Sequence, residues 1–384
     1  MTPRLLLRAG APLAVAALAL GAGPAAAQAA ATPGWSVAQV YGASSGYPDL
    51  QGVAASGPDA AWVSGNTVAG LVIDHWNGTS WNGLTPPAAF ETNGSASVND
   101  MVIGASSRND MWTFPYVSAT AVVQYALERH DGTWKTFKLT KSAGVNATAV
   151  FSPSNVWAFG MTDVPTASGY GSPYVRRYNG KTWKSASMPG DALSVSPLSA
   201  SDMWAWGPTT KTLGQSLPDF AAMHWNGASW STLAVPRYVV SGGRAIVQQL
   251  VATGPDSLWV AEGLQANRGT GQPPAAGLVL AHWNGHKWRL VARNRSVTGQ
   301  GGLVGDGTGG VWLQAVTGTS GPDEFLHYSG GQLAAVAEPT AGPGETTSVA
   351  SMARVPGTTS LWAAASVGPD ASGIGQGGIL RYVG

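Results

Sequence analysis

The 384-residue chain contains no cysteine. That excludes disulfides, thiolate metal sites, a cysteine nucleophile and attachment of a lipid through an N-terminal Cys. Charged residues are scarce, at 11%, and no basic stripe of the kind nucleic acid demands runs among them. Nucleic acid is therefore not an expected partner. The densest basic group, Arg289, Arg293 and Arg295, reads as a solvated strand face. Beyond the N-terminal segment there is no helical periodicity and no run near the roughly 18 apolar residues of a membrane span.

The N-terminus itself has a pattern. Arg4 and Arg8 precede an apolar stretch from Ala9 to Leu20, and small residues at 25–29 fit a cleavage site, so residues 1–29 read as a secretory signal peptide. Residues 30–34 form a short linker, and the mature chain is expected to be extracellular. Without the two leader arginines, 19 basic residues face 20 acidic ones, a net charge near −1.

What the chain has in abundance is tryptophan, 17 residues. Seven stand just after a short turn, as in "GPDAAW" and "SASDMW": Trp62, Trp112, Trp157, Trp204, Trp259, Trp312 and Trp362, spaced 50, 45, 47, 55, 53 and 50 apart. A second signature follows each of them. It reads "HWNG" at 75, 224 and 282, and "RHDG", "RYNG", "HYSG" and "RYVG" in the other units, where His130 fills the aromatic position of the first variant. Trp81, Trp134, Trp183, Trp230 and Trp288 come two or three residues after the Gly. Only Trp206 falls outside the pattern.

A fixed period of about fifty residues identifies a repeat architecture. Within each unit, apolar runs of four to seven residues are bounded by Gly, Asn, Asp and Ser, which reads as strands joined by tight hairpins. The fold class is therefore all-β, a seven-bladed β-propeller of four-stranded blades over residues 35–384. The seventh unit stops at "ILRYVG", one strand short, and "TPGWSVAQV" with Trp35 supplies that strand. The N-terminal strand is expected to complete the C-terminal blade and close the ring.

Catalytic constellations are sparse. His75, His224, His282 and His327 occupy one repeat position, so the ring holds them apart. They do not converge on a metal or a nucleophile. Asp59, Asp110, Asp202 and Asp256 belong to the repeated turn, where a carboxylate caps backbone amides. Asp323 and Glu324 lack the spaced oxygen ligands of a calcium loop. No metal site and no cofactor is expected.

The variable segments, at 209–220, 238–249, 264–277 and 367–378, collect on the face opposite the repeated turns. Polar residues at the start of the innermost strands, Asp49, Gln51, Asn99, Asp100, Asn146, Gln248 and Gln249, are the candidate ligand-binding set at the channel mouth. Solvation of a water-filled channel would equally account for them.

The repeat resembles secreted bacterial seven-bladed propeller repeats, in the broad group of kelch, sialidase-type and galactose-oxidase-type propellers. It departs from WD40 because none of the seven turn-following tryptophans precedes Asp, and from kelch because no Gly-Gly doublet recurs. "GPDAAW" lacks the Gly that a sialidase Asp-box places after its Asp, and a copper-radical oxidase needs the absent Cys. No activity carries over from those families. The favoured reading is a non-enzymatic, monomeric binding protein for a carbohydrate, peptide or protein. The alternative is a polysaccharide hydrolase or lyase using loop carboxylates and tyrosines such as Tyr47, Tyr116, Tyr170 and Tyr238.

Overall fold

The computed structural model describes residues 33–42, 48–91, 97–99, 102–118, 122–162, 171–213, 219–235, 239–240, 243–266, 277–294, 299–316, 324–340, 342, 345–369 and 376–384. They form seven antiparallel sheets, one per repeat, and the chain is a seven-bladed β-propeller. In the first blade Asp49–Gly57, Ala60–Thr67, Gly70–Trp76 and Trp81–Leu84 pair in chain order from the inside outward. Two blades exceed four strands. The second adds Ser97–Asn99 and Tyr116–Ser118, and the fifth adds Val239–Val240. The innermost strands of neighbouring blades pack side by side all the way round, the seventh against the first.

Why these residues repeat is visible atom by atom. Each second-strand Trp is buried between its own blade and the next, at the centre of one of seven apolar clusters. Burial of such large rings removes on the order of 150–250 Å² of surface each. Its cross-strand partner lies flat on it: His75 on Trp62 at 4.6 Å, His224 on Trp204 and His282 on Trp259 at 4.2 Å, His327 on Trp312 at 4.0 Å. In the third and seventh blades Arg177 and Arg381 take this place, 4.9 and 5.0 Å over Trp157 and Trp362. The next Trp of the motif donates its indole N–H to the strand one-to-two turn, as Trp76 does to Pro58 O and Trp225 to Ala200 O, both at 3.2 Å. Asn77 Oδ1 then accepts from the amides of Thr79 and Ser80 at 2.9 and 3.0 Å, closing the hairpin. The Gly beside it has positive φ, and at Gly285 a Cβ would come within 2.9 Å of Asp256 Cβ in the adjoining turn. "HWNG" is framework at every position.

The second blade corrects one sequence alignment. Its hairpin turns on two residues, Asp131 and Gly132, at φ 46° and 80°. That shorter turn shifts the register by one, so Glu128 and not Arg129 lies opposite Trp112, and Arg129 rather than His130 lies opposite Trp134.

Closure follows the expected route. Gly34–Tyr41 pairs with Gln376–Val383 as the outer strand of the seventh blade, with Trp35 opposite Tyr382. The Trp35 ring stacks on Phe325 of the sixth blade at 4.1 Å. The first strand is thus bonded to one blade by its backbone and to the next by its aromatic ring.

The innermost strands share one irregularity. In the first, third and fifth blades an extra residue interrupts the pairing at Gln51, Asn146 and Gln248, and in the sixth and seventh at Gly302 and Ala350. These β-bulges bend the strand where it approaches the axis. Bulged amides need partners, and buried glutamines supply two: Gln124 Oε1 accepts from Val145 N at 3.0 Å and Gln314 Oε1 from Val349 N at 2.9 Å. Each staple joins one blade to the following one.

Candidate functional site

The innermost strands enclose a channel of about 730 Å³ lined by Ala54, Val150, Val195, Leu250, Leu303 and Met352 among others. Its polar groups include Thr148, Ser194, Ser196, Gln249, Thr253 and Arg354, and the described lining residues include no carboxylate.

The polar set expected at the channel mouth is spread out. Gln51, Asn146 and Gln248 hold the same bulge position on three alternate blades. Asp49 and Gln51 meet, with Gln51 Nε2 donating to Asp49 Oδ1 at 2.6 Å, and Gln249 lines the channel. Asn99 sits on the added strand of the second blade, paired with Tyr116 and at the opposite edge of that sheet from the innermost strand. Asp100, Tyr47, Tyr170, Tyr238, Asp323 and the Gln248 side chain lie outside the described residues.

A smaller pocket, about 350 Å³, opens at the seam between the seventh and first blades, lined by Gln39, Tyr41, Pro48, Val72, Asp74, Trp81 and Gly83. Tyr41, at the end of the ring-closing strand, donates its hydroxyl to Asp74 Oδ2. Burial raises Asp74 above the ordinary carboxylate value, and the Tyr41 hydrogen bond works against that rise. Burial and the Asp74 charge together hold the Tyr41 phenol protonated. The absence of a side chain at Gly83 leaves space over Asp74 Oδ1, which a Cβ there would approach to 3.3 Å. An aromatic wall, an acceptor, a phenol and an amide thus share one concavity.

Asp74 is an exception among the repeats. The residue preceding the partner of the stacked Trp is Leu127, Arg176, Met223, Ala281, Leu326 and Leu380 in the other six blades. Five of those are apolar and fully buried. The acid in the run "LVIDHW" was the available signal, and it is legible only once the units are aligned.

A third concavity of about 340 Å³ lies between the fifth and sixth blades, with Trp259, Tyr328, His282 and Arg289 in its wall. Ser257 Oγ is 2.9 Å from His282 Nε2. Burial, and then the Arg289 charge, hold His282 below its ordinary value, favouring the neutral imidazole.

No protein-family model and no curated protein matches this sequence. Solved structures share its fold. The β-propeller domain of the trilobed protease from Pyrococcus furiosus, described as having an open velcro topology, superposes with TM-score 0.51 at 9% identity, over 88% of this chain and 96% of that one. An ancestral GH74 enzyme gives 0.51 at 11% identity, over 87% of this chain and 47% of its own. An ulvan lyase of family PL25 gives 0.50 at 10% identity, over 88% and 95%. At these identities the likeness is one of fold.

Proposed function

We propose that this chain is an extracytoplasmic, non-enzymatic carbohydrate-binding propeller that holds a sugar in the seam pocket. The observation that carries the reading is Asp74, a carboxylate placed in a position that is core in five other blades, beside Tyr41 and in one concavity with Trp81. Sugar recognition needs an apolar ring face for the pyranose C–H surface and a few fixed acceptors and donors for its hydroxyls. The seam supplies both. The PL25 ulvan lyase, a polysaccharide lyase on the same fold, directs the first assays to glycans, and the leader expected at residues 1–29 accords with a target outside the cell.

A hydrolase needs two carboxylates flanking one bond. The channel offers none among its described residues, and the charged group that acts on buried Glu262 is Arg293, a base.

Residues 30–384, titrated with a panel of neutral and anionic oligosaccharides and assayed in parallel for cleavage, should bind without cleaving. Asp74→Asn and Tyr41→Phe should each weaken binding at least tenfold while the folded state persists. Unchanged affinity in both variants removes the seam from the proposal, and cleavage of any bound glycan overturns it.

A further inference from the structure

Blade two contains a side-chain cluster that the glycan site does not use. Asp110 opens its second strand, Glu128 lies opposite Trp112 in its third strand, and His130 ends that strand. One ligand atom from each falls within 4.8 Å of the other two. We propose that Asp110, Glu128 and His130 bind a divalent transition-metal ion, Zn²⁺ first among them.

The comparison within the ring motivates this. The same two positions in the fourth blade are Asp202 and His224, hydrogen-bonded at 2.8 Å over Trp204. In the second blade a carboxylate replaces that histidine, and Asp110 and Glu128, 0% and 2% exposed, face each other at close range. Two buried like charges require a cation. Lys135 Nζ supplies one to Glu128 Oε2 at 3.1 Å, and Ser106 Oγ donates to Asp110 Oδ2 at 2.5 Å. Asp110 Oδ1 is left buried without a hydrogen bond, and so is His130 Nδ1, 3.5 Å away.

The surroundings orient the set as a metal site would need. Asp131 Oδ2 lies 3.4 Å from His130 Nε2, so that with an ion on Nδ1 the Nε2–H would have an acceptor. A carboxylate behind a ligating histidine fixes its tautomer in this way. Metal–oxygen and metal–nitrogen bonds of about 2.0–2.2 Å around a tetrahedral ion place ligand atoms about 3.3–3.6 Å apart, so the most distant of the three groups need to close by up to about 1.5 Å. Two carboxylates with one imidazole suit Zn²⁺, Mn²⁺ or Co²⁺ over Ca²⁺. The ion would tie the two hairpin turns of this blade together.

The test is calorimetric titration of the folded chain with ZnCl2, MnCl2 and CoCl2, alongside thermal unfolding with and without chelator. One ion per chain should bind with saturation and raise the melting temperature. Half-buried His130→Ala should weaken binding at least tenfold, while His286→Ala, on an exposed turn elsewhere, should leave it unchanged. Lys135→Ala should tighten binding because it removes the competing cation. Absence of saturable binding of all three ions, or binding equally strong in His130→Ala, overturns the proposal. So does a Lys135→Ala chain that gains no affinity, since the cluster is then an ordinary ion pair.

Discussion

Single residues in this propeller are held by neighbours in their own blade and in the next, and the exceptions mark where chemistry departs from framework. Glu262 is one such residue: it is fully buried in the fifth blade, and neither carboxylate oxygen has a hydrogen-bond partner. Burial pushes its pKa up from 4.5 to about 8, with the Arg293 charge pulling the other way. Because the folded chain holds this proton more tightly than the unfolded chain, the contribution to stability is complete below pH 4.5. It is lost as the pH rises toward about 8. Glu262→Gln should flatten that part of the stability–pH curve and raise stability at pH 8, measured by urea unfolding at pH 5 and pH 8. A variant with the wild-type slope would assign the slope elsewhere, Asp191 being the next group, raised by burial to about 7. None of this was legible in the chain order of residues. A Glu directly after "WVA" looks like any other polar strand residue until the fold buries it.

At the scale of the element, the hairpin and the bulge do the organising. The hairpins were readable as turns, because Asn-Gly and Asp-Gly pairs announce their own backbone geometry, though the register across the Asp131-Gly132 turn was not. Trp spacing likewise gave the second strand of every blade. The bulges were not readable, since an extra residue in a strand depends on what the partner strand allows. Gln51, Asn146 and Gln248 stood out only as polar residues near a strand start, and their shared bulge position emerged from the pairing. Asp74 and Glu128 were missed for a related reason, since each is anomalous only against its counterparts in other blades. The staples across the blades can be tested at this scale. Gln314→Leu leaves the bulged Val349 N–H buried without an acceptor, an orphan that costs about 1–3 kcal/mol. Chemical denaturation should show a loss of that size for Gln314→Leu and for Gln124→Leu, which orphans Val145. A loss under 0.5 kcal/mol, the ordinary range for surface changes, would mean that water satisfies the bulge.

The whole molecule is a ring built from one repeated hairpin pair and closed by its own first strand. Fold class, blade number and closure were all legible, because they rest on periodicity that tertiary packing repeats rather than overrides. The seam pocket was not legible, since the sequence pointed to polar residues at the channel mouth, and Gln39 and Tyr41 come beside Asp74 of the first blade on a strand that is paired into the seventh. Ser36 Oγ reaches Arg381 O across 345 positions of sequence. Forming such a contact carries a loop-closure entropy that rises only slowly with length, yet long-range pairing is what slows folding most. The strand made first is therefore paired last: every other blade can assemble as its own segment emerges, while Gly34–Tyr41 waits for residues 376–383. A circular permutant joining residue 384 to residue 34 and opening between the third and fourth blades, near residue 188, makes each blade contiguous. It should refold severalfold faster than the natural order at similar stability, read by stopped-flow tryptophan fluorescence; equal rates would place the slow step elsewhere. Because Gln39 and Tyr41 are carried to the seam pocket by a strand paired with residues 376–383, a sugar bound there would report a closed ring.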